Sequence, residues 1–231
     1  LDFLKDFKFD FEEEENKEEI KVKSTAKQGR STCLERQTKQ TYRRAFSETQ
    51  LLDLVTEFKE GHSYNFITGG DVDALSYLKL ILRHQKLEYC LLSTWCMALE
   101  DVYQLEEFLE KGLIKKLDCY VGEIFPNSYK NEHKKLKEIM KKFDGKIVVF
   151  KNHSKIFAGY GEKFHFGVQG SANINTNPRT ENGCITISKD IFDFYFEYYN
   201  GIKSFEKEEV NNVWKIKVRN KIFSRKWNKR V

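Results

Sequence analysis

The sequence predicts an α/β domain built on a mixed β-sheet flanked by helices. Three observations lead there. From His62 to Phe150, apolar β-leaning runs alternate with segments of helical periodicity, the pattern of parallel strands covered by helices. From His153 to Val168 that alternation stops, and two short runs are joined only by Gly159-Tyr160-Gly161-Glu162, which is hairpin chemistry and makes the sheet mixed. The 231 residues are 40% hydrophobic and 14% aromatic with two prolines, a globular composition sufficient for one sizeable core plus tails.

Three regions follow: an N-terminal arm over 1–46, acidic then basic and extended or partly helical; a domain over 47–206; and a basic C-terminal segment over 207–231. Residues 1 to 20 hold nine acids, whereas from Val210 onward there are eight basic residues and no acid. That asymmetry favours a polyanionic partner for the C-terminal part. The arm, with Phe3, Phe7, Phe9 and Phe11 spaced among its charges, reads as a solvated tail, or as a segment that docks on a partner or masks a basic surface.

Within the domain, Ser47-Glu48-Thr49-Gln50 is a capping box for a helix carrying Leu51, Leu54, Val55 and Phe58 and ending near Gly61. His62 to Thr68 reads as a strand, and Gly69-Gly70 as a turn into a helix beginning at Asp71. Leu87 to Ser93 is the next strand. Leu99 to Glu110 is a helix closed by Gly112, and Leu117 to Val121 a further strand. Asn127-Ser128 is the expected cap of a helix with Leu136, Ile139, Met140 and Phe143 on its apolar stripe and six lysines elsewhere. Lys146 to Phe150 is a strand, and Cys184 to Ser188 another. Asp190 to Phe205 is an aromatic-rich helix.

No run of eighteen apolar residues occurs, and Leu1 to Lys5 lacks a signal-peptide pattern. A soluble, cytoplasmic protein without a membrane partner is expected. Five cysteines (Cys33, Cys90, Cys96, Cys119 and Cys184) are scattered with no C-x-x-C spacing, so buried thiols are expected rather than disulfides or zinc ligands.

The chemistry concentrates between His153 and Asn182. On a strand, residues i and i+2 share a face, which puts His153 beside Lys155; a hairpin turning near Gly161 brings residues 169–171 opposite His153, to within a residue or two. Ser171 and Asn173 join the same group. Such a cluster suits a phosphate ester: a neutral imidazole to attack phosphorus, an ammonium and an amide for the non-bridging oxygens, a hydroxyl as a further donor. Glu181 or Glu162 can orient the imidazole by accepting its second N–H.

In order, His153-Ser154-Lys155, Gly170-Ser171-Ala172-Asn173 and Glu181 resemble the HKD motif of the phospholipase D superfamily, H-x-K-x4-D followed by G-S-x-N and a downstream acid. The resemblance covers His62 to Asp190 and implies phospholipase D-like α/β/α layers, with no metal and no cofactor. It implies that His153 forms a phosphohistidine, that Lys155 and Asn173 bind phosphate, and that Ser171 and Glu181 support the site. The superfamily uses two motifs; His62 and His165 have no lysine two residues on, and His84-Gln85-Lys86 and His133-Lys134-Lys135 have no Gly-Ser-x-Asn of their own after them. A homodimer with the site across its two-fold interface is therefore implied. Tyr160 stands where the motif has Asp, which leaves room for a degenerate site.

Lys134 and Lys135, on the helix before the hairpin, together with Arg179 and Trp95, are candidate substrate contacts. The C-terminal Trp214, Arg219, Arg225, Lys226, Trp227, Lys229 and Arg230 interleave aromatics with cations, suited to nucleic acid or equally to a basic tail without a specific role. The expected function is a nuclease, a hydrolase of phosphodiesters in DNA more than in RNA. Two alternatives stand beside it: a nucleic-acid-binding or structural protein with a decayed site, and a lipid phosphodiesterase.

Overall fold

The computed structural model describes residues 34–70, 72–175 and 179–205. The expectations for the acidic arm, for Asp71, for Cys33 and for the basic C-terminal segment lie outside these residues.

Among the described residues eight strands and six helices follow one another as β1 (Lys39–Ala45), α1 (Glu48–Asp53), β2 (His62–Thr68), α2 (Ala74–Leu82), β3 (Leu87–Thr94), α3 (Leu99–Glu110), β4 (Leu117–Gly122), α4 (Phe125–Ser128), α5 (Lys130–Lys142), β5 (Lys146–Phe150), β6 (Ile156–Gly161), β7 (His165–Gly170), β8 (Glu181–Ile187) and α6 (Lys189–Asn200). The strands form one mixed sheet in the order β1-β2-β8-β7-β6-β3-β4-β5. Where a helix connects two neighbouring strands, β3 to β4 and β4 to β5, the pair is parallel; the β6–β7 hairpin and β8 run antiparallel to their neighbours. The expected mixed α/β architecture is the observed one.

Alternation along the strands divides the core. Cys90 and Leu92 of β3 point with Phe157, Phe166, Val168, Ile185 and Ile187 into the larger cluster beneath α1 to α5. Tyr89 and Leu91 point the other way, with Ile156 and Ala158, against Phe192 and Tyr199 of α6. Gly167 of β7 lets α6 approach, since a Cβ there would lie 2.3 Å from Ile191. Cys90, Cys96 and Cys119 are buried.

Several boundaries differ from expectation for identifiable reasons. Lys39–Ala45, within the expected arm, is extended but also paired in parallel with β2, so the sheet includes it. The first helix stops at Asp53 instead of running toward Gly61. Its expected second half is held by side chains: the Tyr64 hydroxyl accepts from the Lys59 amide (3.1 Å) and donates to the Glu57 carbonyl (3.3 Å), while the His84 ring bonds the Val55 carbonyl (3.1 Å). Those contacts replace helical hydrogen bonds and still bury Val55. Asn127 and Ser128 do not cap α5; Pro126 favours a first helical turn, and these residues belong to α4, with Tyr129 as the junction. The hairpin strands lie two to three residues later than expected, so His153 and Lys155 precede β6. The last helix ends at Asn200, and the chain returns along β5, where the Phe205 amide donates to the Val149 carbonyl (2.7 Å).

Candidate active site

Strand directions gather the motif residues. β2, β3, β4 and β7 end on one edge of the sheet, and the antiparallel β6 and β8 begin there. Ligand sites in open α/β sheets lie beyond the carboxyl ends of parallel strands, and this edge is that location.

Asn152 sets the start of β6. It is buried, and its amide nitrogen donates to Ser93 Oγ (2.9 Å), the Thr94 carbonyl (3.1 Å) and the Tyr120 carbonyl (2.9 Å). Its Oδ1 accepts from the Ser154 amide (3.0 Å) and hydroxyl (2.6 Å). Ser154 Oγ also bonds Ser93 Oγ (2.7 Å) and the Tyr199 hydroxyl (2.6 Å). The residues on both sides of His153 are thus tied to the ends of β3 and β4 and to α6. Sequence reasoning missed the roles of Asn152, Ser154, Ser93 and Tyr199; the only signal was the polar pair Lys151-Asn152 between an apolar strand and H-x-K.

From that base His153 projects as an exposed side chain, its ring centroid 5.3 Å from the half-buried Trp95. Gly122 makes room for the indole, because a Cβ there would lie 2.6 Å from Trp95 Cδ1. Lys155 Nζ is 3.0 Å from His153 Nδ1 and donates to the His153 carbonyl (2.6 Å). Burial lowers the Lys155 pKa, while Cys96 and Glu181 act in the opposite direction.

Ser171 donates to the Glu181 carboxylate and accepts from the Asn182 amide (3.0 Å), which fastens the Gly-Ser-x-Asn loop to β8. The next residues cross the starts of two helices. The Asn173 carbonyl accepts from Ala74 (3.3 Å), and the Ile174 carbonyl accepts from Ala98 (3.0 Å). Among the described residues Asn173 Oδ1 is buried without a hydrogen-bond partner. Arg179 is exposed, and its carbonyl lies near Gly69 at the end of β2.

Other candidates lie elsewhere. Glu162 is at the far end of β6, about 20 Å along the strand from Ile156, so Glu181 is the carboxylate near Lys155 and Glu162 is not an orienting group. The Lys135 ammonium pairs with Glu106 of α3 (2.7 Å) and lies over the Tyr103 ring; Lys134 is exposed on the same helix. Tyr160 packs with Tyr89, His165 and Phe192 beneath α6. Among the described residues no three His, Cys, Asp or Glu side chains form a metal-ligating group, and no helix is long and apolar enough to cross a membrane.

Under the loop, the buried Asp101 of α3 has its pKa pushed up to about 7, first by burial and then by the neighbouring Asp73. A carboxyl whose pKa is raised on folding binds a proton more readily folded than unfolded. Its stabilising influence is therefore present near pH 4 and is lost as pH rises toward 7. His84 and His133, whose pKa values burial lowers, act with the opposite sign as pH falls below the usual imidazole range. The difference between wild type and Asp101→Asn isolates the carboxyl: Asp101→Asn is expected to raise Tm relative to wild type more at pH 8 than at pH 5. An equal offset at both values counts against the assignment.

No protein-family profile matches the chain, and no curated protein matches it by sequence. Among solved structures it is similar to a polyphosphate kinase from Porphyromonas gingivalis, with 16% identity over 68% of this chain and 29% of that one, TM-score 0.48. It is also similar to TrmBL2, an archaeal chromatin protein with a novel mode of DNA binding, with 12% identity over 73% of this chain and 59% of that one, TM-score 0.40. The chain therefore spans less than two thirds of either protein's length.

Proposed function

We infer that this chain is a metal-independent phosphodiesterase acting on nucleic acid, a nuclease that works through a phosphohistidine at His153. The observation that carries the reading is the exposed His153 imidazole with the Lys155 ammonium 3.0 Å from Nδ1, on the edge of the sheet where Ser171, Asn173 and Glu181 also stand.

In the first step a ring nitrogen of His153 attacks phosphorus, the P–N bond forms, and the P–O bond to the leaving oxygen breaks. That oxygen takes a proton from a general acid, the His153 of a second protomer across a two-fold axis. Water then attacks the phosphohistidine, its proton returns to the general acid, and the imidazole is released with the phosphate monoester. Lys155 and the Asn173 amide stabilise the non-bridging oxygens. An ammonium donating to Nδ1 holds the neutral imidazole with its proton on Nε2. For Nε2 to attack, the Lys155 ammonium must turn to the phosphoryl oxygens, which frees Nδ1 to take the proton. Substrate binding and activation of the nucleophile are thereby one movement.

The test is cleavage of a single-stranded oligonucleotide by the full chain in EDTA, with acid quenching to trap phosphoenzyme. The expected result is chelator-resistant cleavage and an acid-labile phosphate on the peptide containing His153. Cleavage abolished by EDTA overturns the mechanism. A second reading, a binding protein with an inactive site, is favoured by Tyr160, which stands at the motif's acid position and is committed to aromatic packing. It predicts oligonucleotide binding without phosphoenzyme.

A further inference from the structure

α6 packs on one face of the sheet over β6 and β7 and against Tyr89 of β3 and Tyr120 of β4. Toward β1 the same face carries an open groove of about 970 Å³ that starts at Lys155 and runs across β7, β8 and β2 to Tyr42 and Arg44 of β1. The strand register puts its side chains in one row: Gln169 lies opposite Cys184, Cys184 opposite Asn65, and Asn65 beside Tyr42. The row below holds Asn182, Ile67 and Arg44.

The chemistry of this groove is one-sided. Among the described residues no Asp or Glu lines it, while Arg44 and Lys155 bring positive charge. Among the described residues neither cation has a carboxylate partner, whereas Lys79, Lys135 and Lys146 are each paired. Three amides stand between the cations. Gln169 Oε1 accepts from Tyr195 (2.8 Å), and Asn65 Nδ2 donates to Gln40 (2.8 Å), which engages one half of each amide and leaves the other half for a ligand. Tyr42 is 76% exposed at the far end, an aromatic face without an enclosing core.

We propose that this groove binds single-stranded nucleic acid, holding the nucleotides on one side of the scissile phosphate. The proposal rests on the phosphodiesterase reading for its polarity toward His153. From β6 to β1 are four inter-strand steps of about 4.8 Å, about 19 Å, which is the length of about five or six nucleotides at the 3.4 Å rise of a stacked strand. Cations without acids suit a phosphate backbone, and Tyr42 suits base stacking. Amides reach Watson–Crick edges only when those edges are unpaired, which selects a single strand over a duplex. A lipid tail would leave the same amides without partners, an unfavourable burial.

The test uses the full chain with a fluorescein-labelled oligothymidine dodecamer, a duplex of equal length, and a dodecamer containing 4-thiothymidine for photo-cross-linking. Single strand is expected to bind at least tenfold more tightly than duplex. Tyr42→Ala is expected to weaken single-strand binding about tenfold. Arg44→Ala is expected to weaken it severalfold and to reduce the salt slope by about 0.7. Cross-links are expected on the peptides containing Tyr42 and Asn182. Both substituted side chains are exposed, and unchanged melting temperatures confirm folding. Binding by both variants within twofold of wild type, or cross-links only outside those peptides, overturns the groove. If His153-dependent cleavage persists alongside that result, the phosphodiesterase reading stands without the groove. Groove-dependent binding with no cleavage leaves the groove and overturns the enzyme.

Discussion

His153→Ala is expected to lower the single-turnover rate of chelator-resistant oligonucleotide cleavage by at least about a thousandfold, because covalent catalysis has no path without its nucleophile. Affinity for the oligonucleotide should change less than threefold, since the exposed imidazole occupies only the reacting end of the proposed binding surface. A residual rate within tenfold of wild type would assign the chemistry to another group. The separation of rate from affinity matters here: a surface histidine that merely contributed charge would reduce binding and its salt dependence, and would not abolish phosphoenzyme.

The second large effect is expected at Asn152, which touches no substrate and acts as a positioning residue. In Asn152→Asp, the three bonds donated by Nδ2 to Ser93, Thr94 and Tyr120 are lost, and a carboxylate oxygen faces two backbone carbonyls in a buried setting. Orphaned buried acceptors cost about 1–3 kcal/mol each, so a destabilisation of about 3 kcal/mol at pH 8 is expected from urea unfolding. Protonation restores one donor. The folded-state pKa of the new carboxyl is therefore raised, and the variant should recover stability as pH falls from 8 to 5. A positioning role further requires that the cleavage rate at saturating substrate fall while KM stays within severalfold; a drop in stability alone would make Asn152 only structural. A variant equally stable at pH 5 and pH 8 would contradict the observed donor pattern.

Much of the fold was legible because its signals are local. His62–Thr68, Leu99–Glu110 and Lys146–Phe150 carry their periodicity or β-branched and aromatic composition within single segments, and turn residues delimit them. What could not be read depends on partners far along the chain. α1 is cut short by Tyr64 and His84, and β1 is a strand because β2 offers an edge. At the site, the contact of His153 with Lys155 follows from adjacent residues, and the approach of Glu181 to Ser171 follows from the hairpin and the strand after it. Asn152 carries no motif; its role exists only because β3 and β4 end beside it. The groove was equally hidden, since its row of Tyr42, Asn65, Cys184 and Gln169 is set by the register of four strands.

The strand order has a consequence for how the molecule is assembled. β2 and β3 are joined through α2 yet are not neighbours, and β6, β7 and β8 fill the space between them. Until residues 156–187 arrive, β2 and β3 each keep an unpaired inner edge, and pairing them with each other would build a different sheet. Closing that gap requires contacts across long stretches of chain, the slow kind of step in folding, during which the two edges are open to wrong partners. His153 and Lys155 sit at the entrance to the inserted segment. The candidate site and the continuous sheet are thus completed together, by the same inserted segment.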